Sequence, residues 1–247
     1  MNVLLTSVGR RAYLVDYFKE ALGGSGKVVA TNTIAETTGM FAADDAIVVP
    51  AAKDPAFVDS LLDVCQAHDV SLLCSLHDWE APYIAASAQR FKEIGVCLVM
   101  PTLEIVNICL DKYKTFLFAE RNGVRSPKTY LSEAATAEAL LRGEVAFPLV
   151  LKPRWGQGSI GLRIVHGLAE LASAYHSLNQ EIKDGGFAHL ADLDTSQIVI
   201  QECLIGQEYG VDIVNDLNGE FAACFIKKKL AMRAGETDSA ITVEQPM

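Results

Sequence analysis

The sequence predicts an α/β domain followed by a domain of α+β character, and three observations carry that prediction. Short apolar runs alternate with helical patterns through the first part of the chain. After Cys109 the order of elements changes, and strand-like runs come to follow one another with only short turns between them. At 247 residues and 50% hydrophobic content, the chain is long for one compact domain and apolar enough to build two cores.

Taken in order, residues 3–6 read as the first strand. The loop Ser7-Val8-Gly9-Arg10-Arg11 leads from it into a helix whose Tyr13, Leu14, Tyr17, Phe18 and Leu22 fall on one apolar stripe. Strands follow at 28–31, 46–49, 71–75 and 96–100, interleaved with helical patterns at 55–68 and about 80–94. Connections of this length are βαβ crossovers, so residues 1–108 read as a Rossmann-like parallel sheet covered on both faces. Its first turn lacks the G-x-G-x-x-G fingerprint, which speaks against a nicotinamide cofactor there. The loop at 7–11 still lies at the carboxyl end of a strand, where α/β sheets take ligands, and offers Arg10 and Arg11 to an anion.

The second domain, residues 109–247, opens with a helix over 111–123 that has Gly123 at its C-terminal cap. Ser126-Pro127 turns the chain into a strand at 128–130, and a helix at 133–141 precedes the stretch VLKPRWGQGSIGLRIV at 150–165. A further helix spans 168–183. Beyond the polar stretch 183–196, strands read at 197–202, 208–215 and 220–229, the last two joined by the turn Asp216-Leu-Asn-Gly219. Strands so closely joined pair antiparallel.

Composition narrows the function. A net charge of −10 opposes a general nucleic-acid partner, because counterion release needs clustered Lys and Arg. There is no run of eighteen apolar residues, and the start MNVLLTSVGRR has no basic region ahead of its apolar residues. The expectation is a cytoplasmic protein with no membrane partner. Cys65, Cys74, Cys97, Cys109, Cys203 and Cys224 form no C-x-x-C pair and are expected to be reduced core thiols. The five histidines show no metal-ligand spacing, so no metal ligand is assigned within the chain.

The stretch at 150–165 carries the chemistry. Glycine-rich turns let successive backbone N–H groups converge on an anion. Neither common phosphate motif fits: Lys152 precedes the glycines, and a strand rather than a helix follows them. The loop is therefore the tip of a hairpin able to fold over a ligand, or else an ordinary flexible hairpin. A lysine ending an apolar strand needs a partner for its charge, and a phosphate supplies one. Lys112, opening a helix, adds a second ammonium. The segment from Ile198 to Glu208 crosses from an apolar strand into a turn bearing acids, whose carboxylates can accept from ribose hydroxyls while its backbone pairs with an adenine. Lys227-Lys-Lys229 with Arg233 is a second basic cluster, readable also as a solvated strand edge that discourages aggregation. Lys112 and Glu202 have the alternative of plain surface residues. Trp155 either stacks on a ligand or packs the closed loop.

In this order, Asp111-Lys-Tyr-Lys with Asn122-Gly-Val-Arg-Ser-Pro, Phe147-Pro-Leu-Val-Leu-Lys-Pro with the glycine loop, Gln201-Glu-Cys-Leu-Ile-Gly-Gln-Glu208 and Gly235-Glu-Thr-Asp-Ser-Ala-Ile-Thr-Val243 resemble the ATP-grasp family, and within it the carbamoyl phosphate synthase large-chain-like branch. The resemblance implies a pre-ATP-grasp domain over 1–108, a lid subdomain over about 109–190, and the start of a central antiparallel sheet over about 191–247. It implies that Lys112 and Lys152 contact the phosphates of ATP, and that Gly156, Gly158, Ser159 and Gly161 belong to the loop closing over them. Glu202 and Leu204 would meet the adenine through their backbone, with Gln201 close by and Glu208 on the ribose. Lys229 and Arg233 would stabilise an acyl phosphate and its attacking amine. The implied activity is an ATP-dependent carboxylate–amine ligase working through an acyl phosphate, with small-molecule carboxylate and amine substrates and a homodimer as the assembly. The alternatives are a non-catalytic adenine-nucleotide-binding module and a nicotinamide-dependent oxidoreductase. The family's Mg2+ ligands, an acid and then Glu-x-Asn, are expected beyond residue 247, which leaves the ATP-grasp domain incomplete at its C-terminus. A chain of this extent is expected to bind nucleotide without turning it over.

If Glu208 holds the ribose, Glu208→Gln should lose the preference for ATP over 2′,3′-dideoxy-ATP in a calorimetric comparison. An undiminished preference contradicts the assignment.

Overall fold

The computed structural model describes residues 1–186, 196–233 and 235–244. The chain divides into two compact units, Met1–Asn107 and Ile108–Met247.

The first unit contains β1 (Asn2–Thr6), α1 (Ala12–Leu22), β2 (Val28–Asn32), α2 (Thr38–Ala42), β3 (Asp45–Val48), α3 (Phe57–Ala67), β4 (Val70–Ser75), α4 (Ala81–Ala86), α5 (Ala88–Glu93) and β5 (Cys97–Leu98). Its sheet has the order β3-β2-β1-β4-β5 with every pairing parallel. Alternation along β1 explains the two-sided cover. Val3 and Leu5 pack with Val15 and Leu22 of α1, while Leu4 packs with Phe57 and Leu61 of α3 on the other cluster. The strand order reverses between β1 and β4, which makes their carboxyl ends the switch point of the sheet.

Three expectations, two for this unit and one for the cysteines of the whole chain, are corrected. On α1 the buried residues are Val15 and Leu22, while Tyr13 and Tyr17 are more than half exposed and meet each other edge to face. The true stripe is rotated because a heptad spacing also links 15 to 22. The helix expected over 80–94 is two helices that meet at Ser87. Of the cysteines only Cys65 is buried, its thiol pushed up to about 12 by burial, and Cys97 and Cys109 are exposed.

The division between the units falls within α6 (Leu103–Leu110). The second unit continues with α7 (Lys112–Arg121), β6 (Thr129–Tyr130), α8 (Glu133–Leu141), β7 (Leu149–Pro153), β8 (Arg163–Val165), α9 (Leu168–Glu181), β9 (Ile198–Glu202), β10 (Tyr209–Asn215), β11 (Phe221–Arg233) and β12 (Glu236–Val243). Residues 187–195, most of the expected polar stretch, lie outside the described residues, as does the subdomain boundary expected at 190. Strands β6-β9-β7-β8 form one antiparallel sheet, and β10-β11-β12 form another. On the first, Leu149, Leu151, Ile198 and Ile200 pack with Leu171 and Leu178 of α9. Period-two alternation then sends Lys152, opposite Val199, to the face away from that core. The three-stranded sheet leaves Val211, Ile213 and Ile241 exposed. Among the described residues, no helix is long and apolar enough to cross a membrane.

Candidate functional site

The hairpin of β7 and β8 is closed by residues 154–162, and beneath this loop lies a cavity of about 220 Å3. Lys112, Lys152, Trp155, Gly156, Gly158 and Ser159 are among the residues that line it. Local sequence sets each of them in place. Asp111 caps α7, its Oδ1 accepting from the backbone N–H groups of Tyr113 (2.9 Å) and Lys114 (3.2 Å). Lys112 is thereby the first helical residue. Its backbone N–H donates to the Arg154 carbonyl at 3.2 Å, and its Nζ donates to the Gly156 carbonyl at 2.8 Å.

The frame of this arrangement is an ion pair that the sequence did not reveal. Arg154 Nε donates to Asp111 Oδ1 at 2.8 Å and Nη2 donates to Oδ2 at 2.7 Å, a bidentate pair whose side chains are 10% and 2% exposed. The Arg154 backbone N–H donates to the Gln197 carbonyl, just ahead of β9. The guanidinium also lies over the rings of Trp155 (4.7 Å to the centroid) and Tyr113 (5.6 Å). Trp155 therefore packs on Arg154 while also lining the cavity. An aspartate at a helix N-cap and an arginine after Lys-Pro were the available signals, but neither names the other as its partner.

Lys152 is different. Burial holds its ammonium below the ordinary lysine value, and its side chain makes no hydrogen bond or ion pair with the described residues. A half-buried cation without a partner is costly.

The remaining candidates are spread along β9 and the three-stranded sheet. Gln201 is buried and shares the Lys152 face of the sheet, its Nε2 donating to Thr129 Oγ1 at 2.8 Å. Glu202 lies on the opposite face, where its carboxylate accepts from the Lys128 N–H at 3.3 Å. Leu204 is exposed. The Glu208 carboxylate is joined to Lys229 Nζ at 2.5 Å, and the Lys229 N–H donates to the Glu208 carbonyl at 3.0 Å. The three lysines do not form one positive patch: Lys227 pairs with Asp212, Lys229 pairs with Glu208, and alternation puts Lys228 on the other face. Arg233 is exposed at the end of β11, opposite Glu236.

At the switch point of the first unit, the buried Glu80 carboxylate accepts from Thr6 (2.5 Å), Ser7 (2.6 Å) and Ser75 (3.0 Å). Arg11 Nη1 donates back to the Ser7 carbonyl at 3.4 Å, and Arg10 is exposed.

A parallel-sheet unit followed by antiparallel sheets, with a glycine-loop hairpin over a lysine, defines an ATP-grasp-type fold. Residues 145–243 match the family model described as "ATP-grasp domain", and residues 3–99 match that described as "PylC-like, N-terminal domain". It is 26% identical over 240 residues to a phosphoribosylamine–glycine ligase of Chlorobaculum tepidum, covering 97% of this chain and 53% of that protein. It is 24% identical over 163 residues to the arginine-specific carbamoyl phosphate synthase large chain of Geobacillus stearothermophilus, covering 66% of this chain and 14% of that one. Among solved structures, the biotin carboxylase domain dimer of a Hydrogenobacter thermophilus 2-oxoglutarate carboxylase, in complex with MgADP, ADP and bicarbonate, shares the fold with a TM-score of 0.69 and 18% identity, over 96% of this chain and 51% of that one. The chain thus spans about half or less of the length of the curated relatives it matches.

The frame generates a prediction. Asp111→Ala should destabilise the second unit by about 3–5 kcal/mol, because it strands a buried guanidinium. Asp111→Leu combined with Arg154→Met should recover much of that loss in denaturant titrations, yet still bind ATP worse than the parent because Lys112 has lost its cap. Full recovery of both properties would show that the pair does not hold the site.

Proposed function

We propose that the chain is the nucleotide-binding part of an ATP-dependent carboxylate–amine ligase that works through an acyl phosphate, with residues 1–108 as its pre-ATP-grasp domain and 109–247 as its ATP-grasp domain, the lid over about 109–190. The observation that carries this reading is Lys152, half-buried and unpartnered among the described residues, on the wall of a cavity shared with Lys112 and the glycine loop. A cavity of about 220 Å3 suits phosphate groups rather than a whole nucleotide, since sites for complete ligands start at roughly 300 Å3. Adenine and ribose would then extend along β9 toward Gln201, Glu202, Leu204 and Glu208. Phosphoryl transfer is catalysed mainly by positioning and by neutralising charge, which is the work that two ammonium groups and a ring of amides can do.

Among the described residues, no three His, Cys, Asp or Glu side chains cluster as ligands for a magnesium ion. The part proposed for this chain's own cations and amides is phosphate binding and charge neutralisation. The relatives support the ligase class: one is named for joining an amine to glycine, and a structural relative was captured with MgADP and bicarbonate. A carbamoyl phosphate synthase-like reaction, with bicarbonate as the carboxylate, is the specific form we favour. Lys229 and Arg233 are its proposed acyl-phosphate stabilisers, the former once released from Glu208. A homodimer in the cytoplasm is the proposed setting.

Lys152→Ala should weaken ATP binding by at least about tenfold, the loss of one charge-assisted contact to phosphate, with the fold unchanged by circular dichroism. Calorimetry that returns the parental affinity would refute the phosphate role.

A further inference from the structure

At Gly235 the β11–β12 turn comes close against the backbone of the glycine loop. A Cβ built on Gly235 would stand 2.1 Å from the carbonyl carbon of Gly158, 2.3 Å from its oxygen and 2.5 Å from the Ser159 nitrogen. No rotamer change relieves such contacts, because the three nearest atoms all belong to main chain. Gly158 and Ser159 themselves line the cavity, with φ of +65° and +55°. The far end of the loop is pinned separately: a Cβ at Gly161 would meet Pro153 and Leu178 at 2.9–3.0 Å, so this end rests on the core of the sheet. Between that anchor and the Arg154 ion pair, the middle of the loop bears on Gly235.

From this contact we infer that Gly235 is a positioning residue, a side-chain-free latch that holds the glycine loop down over the phosphate cavity. The inference rests on the proposed phosphate site. Any side chain at 235 must push Gly158 and Ser159 away, and with them part of the wall of the cavity. Nucleotide entry and exit then require the two turns to separate, so the latch governs residence time more than encounter.

Gly219, in the β10–β11 turn of the same sheet, provides the control. Its φ of +86° is close to the +77° of Gly235, but a Cβ there meets nothing within 4 Å. Gly219→Ala therefore imposes the same backbone strain without the collision. Hydrogen exchange of the peptide covering 154–162, measured without nucleotide, should be at least fivefold faster in Gly235→Ala than in the parent and unchanged in Gly219→Ala. Dissociation of a fluorescent ATP analogue should accelerate at least fivefold in Gly235→Ala only, with the association rate within about twofold of the parent. Should Gly235→Ala fail to fold, Gly235→Asn keeps the Cβ while tolerating positive φ, and takes its place. Equal effects of the 219 and 235 variants, or exchange in the loop unaltered at 235, would overturn the latch. A parent that binds no ATP would instead sink the phosphate reading, and the exchange comparison would still decide the latch.

Discussion

The buried pair of Asp111 and Arg154 is the interaction on which the second unit's site depends. It joins residues 43 positions apart, and each partner has a further task. Asp111 caps α7 and so fixes where Lys112 begins the helix, while Arg154 begins the glycine loop and ties it through backbone to the segment leading into β9. Two ions taken out of water are costly, and the cost is offset only when geometry is close to ideal and the remaining donors are satisfied. Here the pair is bidentate, and the guanidinium also lies over the rings of Trp155 and Tyr113. The pair is best understood as specifying the position of the loop rather than as a source of net stability.

Given that frame, the two lysines of the cavity are unequal. Lys112 donates its ammonium to the Arg154 and Gly156 carbonyls, bridging α7 to the loop. Lys152 is held in a half-buried place by the pleat of β7, because Leu149 and Leu151 must face α9. The same alternation that builds the core thus delivers an under-solvated cation to the opposite face. Strand packing and the placement of this cation are here one constraint read from its two sides.

Much of this was legible in the sequence. The parallel sheet followed from apolar runs spaced by helical stretches, and the antiparallel hairpins from short polar turns such as 216–219. The elements that escaped have physical reasons. Helix α2 has five residues and no stripe to detect, and α6 is apolar on nearly every side. Strand β12 opens with Glu236, Thr237, Asp238 and Ser239, a polar run without strand-like alternation. In the site, lysines and glycines announced themselves by residue type and order. The Asp111–Arg154 pair did not, because each residue has an ordinary local explanation and only the fold brings them together. In the basic cluster, adjacency along a strand is not adjacency on a face, and cross-strand acids take up Lys227 and Lys229.

The central claim is that Lys152 is a cation kept short of solvent for a phosphate to complete. Its charged form is disfavoured by burial, so in the free protein it loses its proton at a lower pH than an ordinary lysine. The folded state then holds fewer protons than the unfolded one between that depressed value and the ordinary lysine value, and stability rises with pH across this window as the burden of the buried charge is removed. An anion bound beside it must reverse the shift. The direct measurement is a pH titration of the Lys152 side chain by carbon-detected NMR, with Lys152→Arg providing the assignment, in the absence and presence of saturating ATP. The account predicts a depressed pKa in the free protein that moves upward when ATP binds. A titration that is the same with and without bound nucleotide would contradict it.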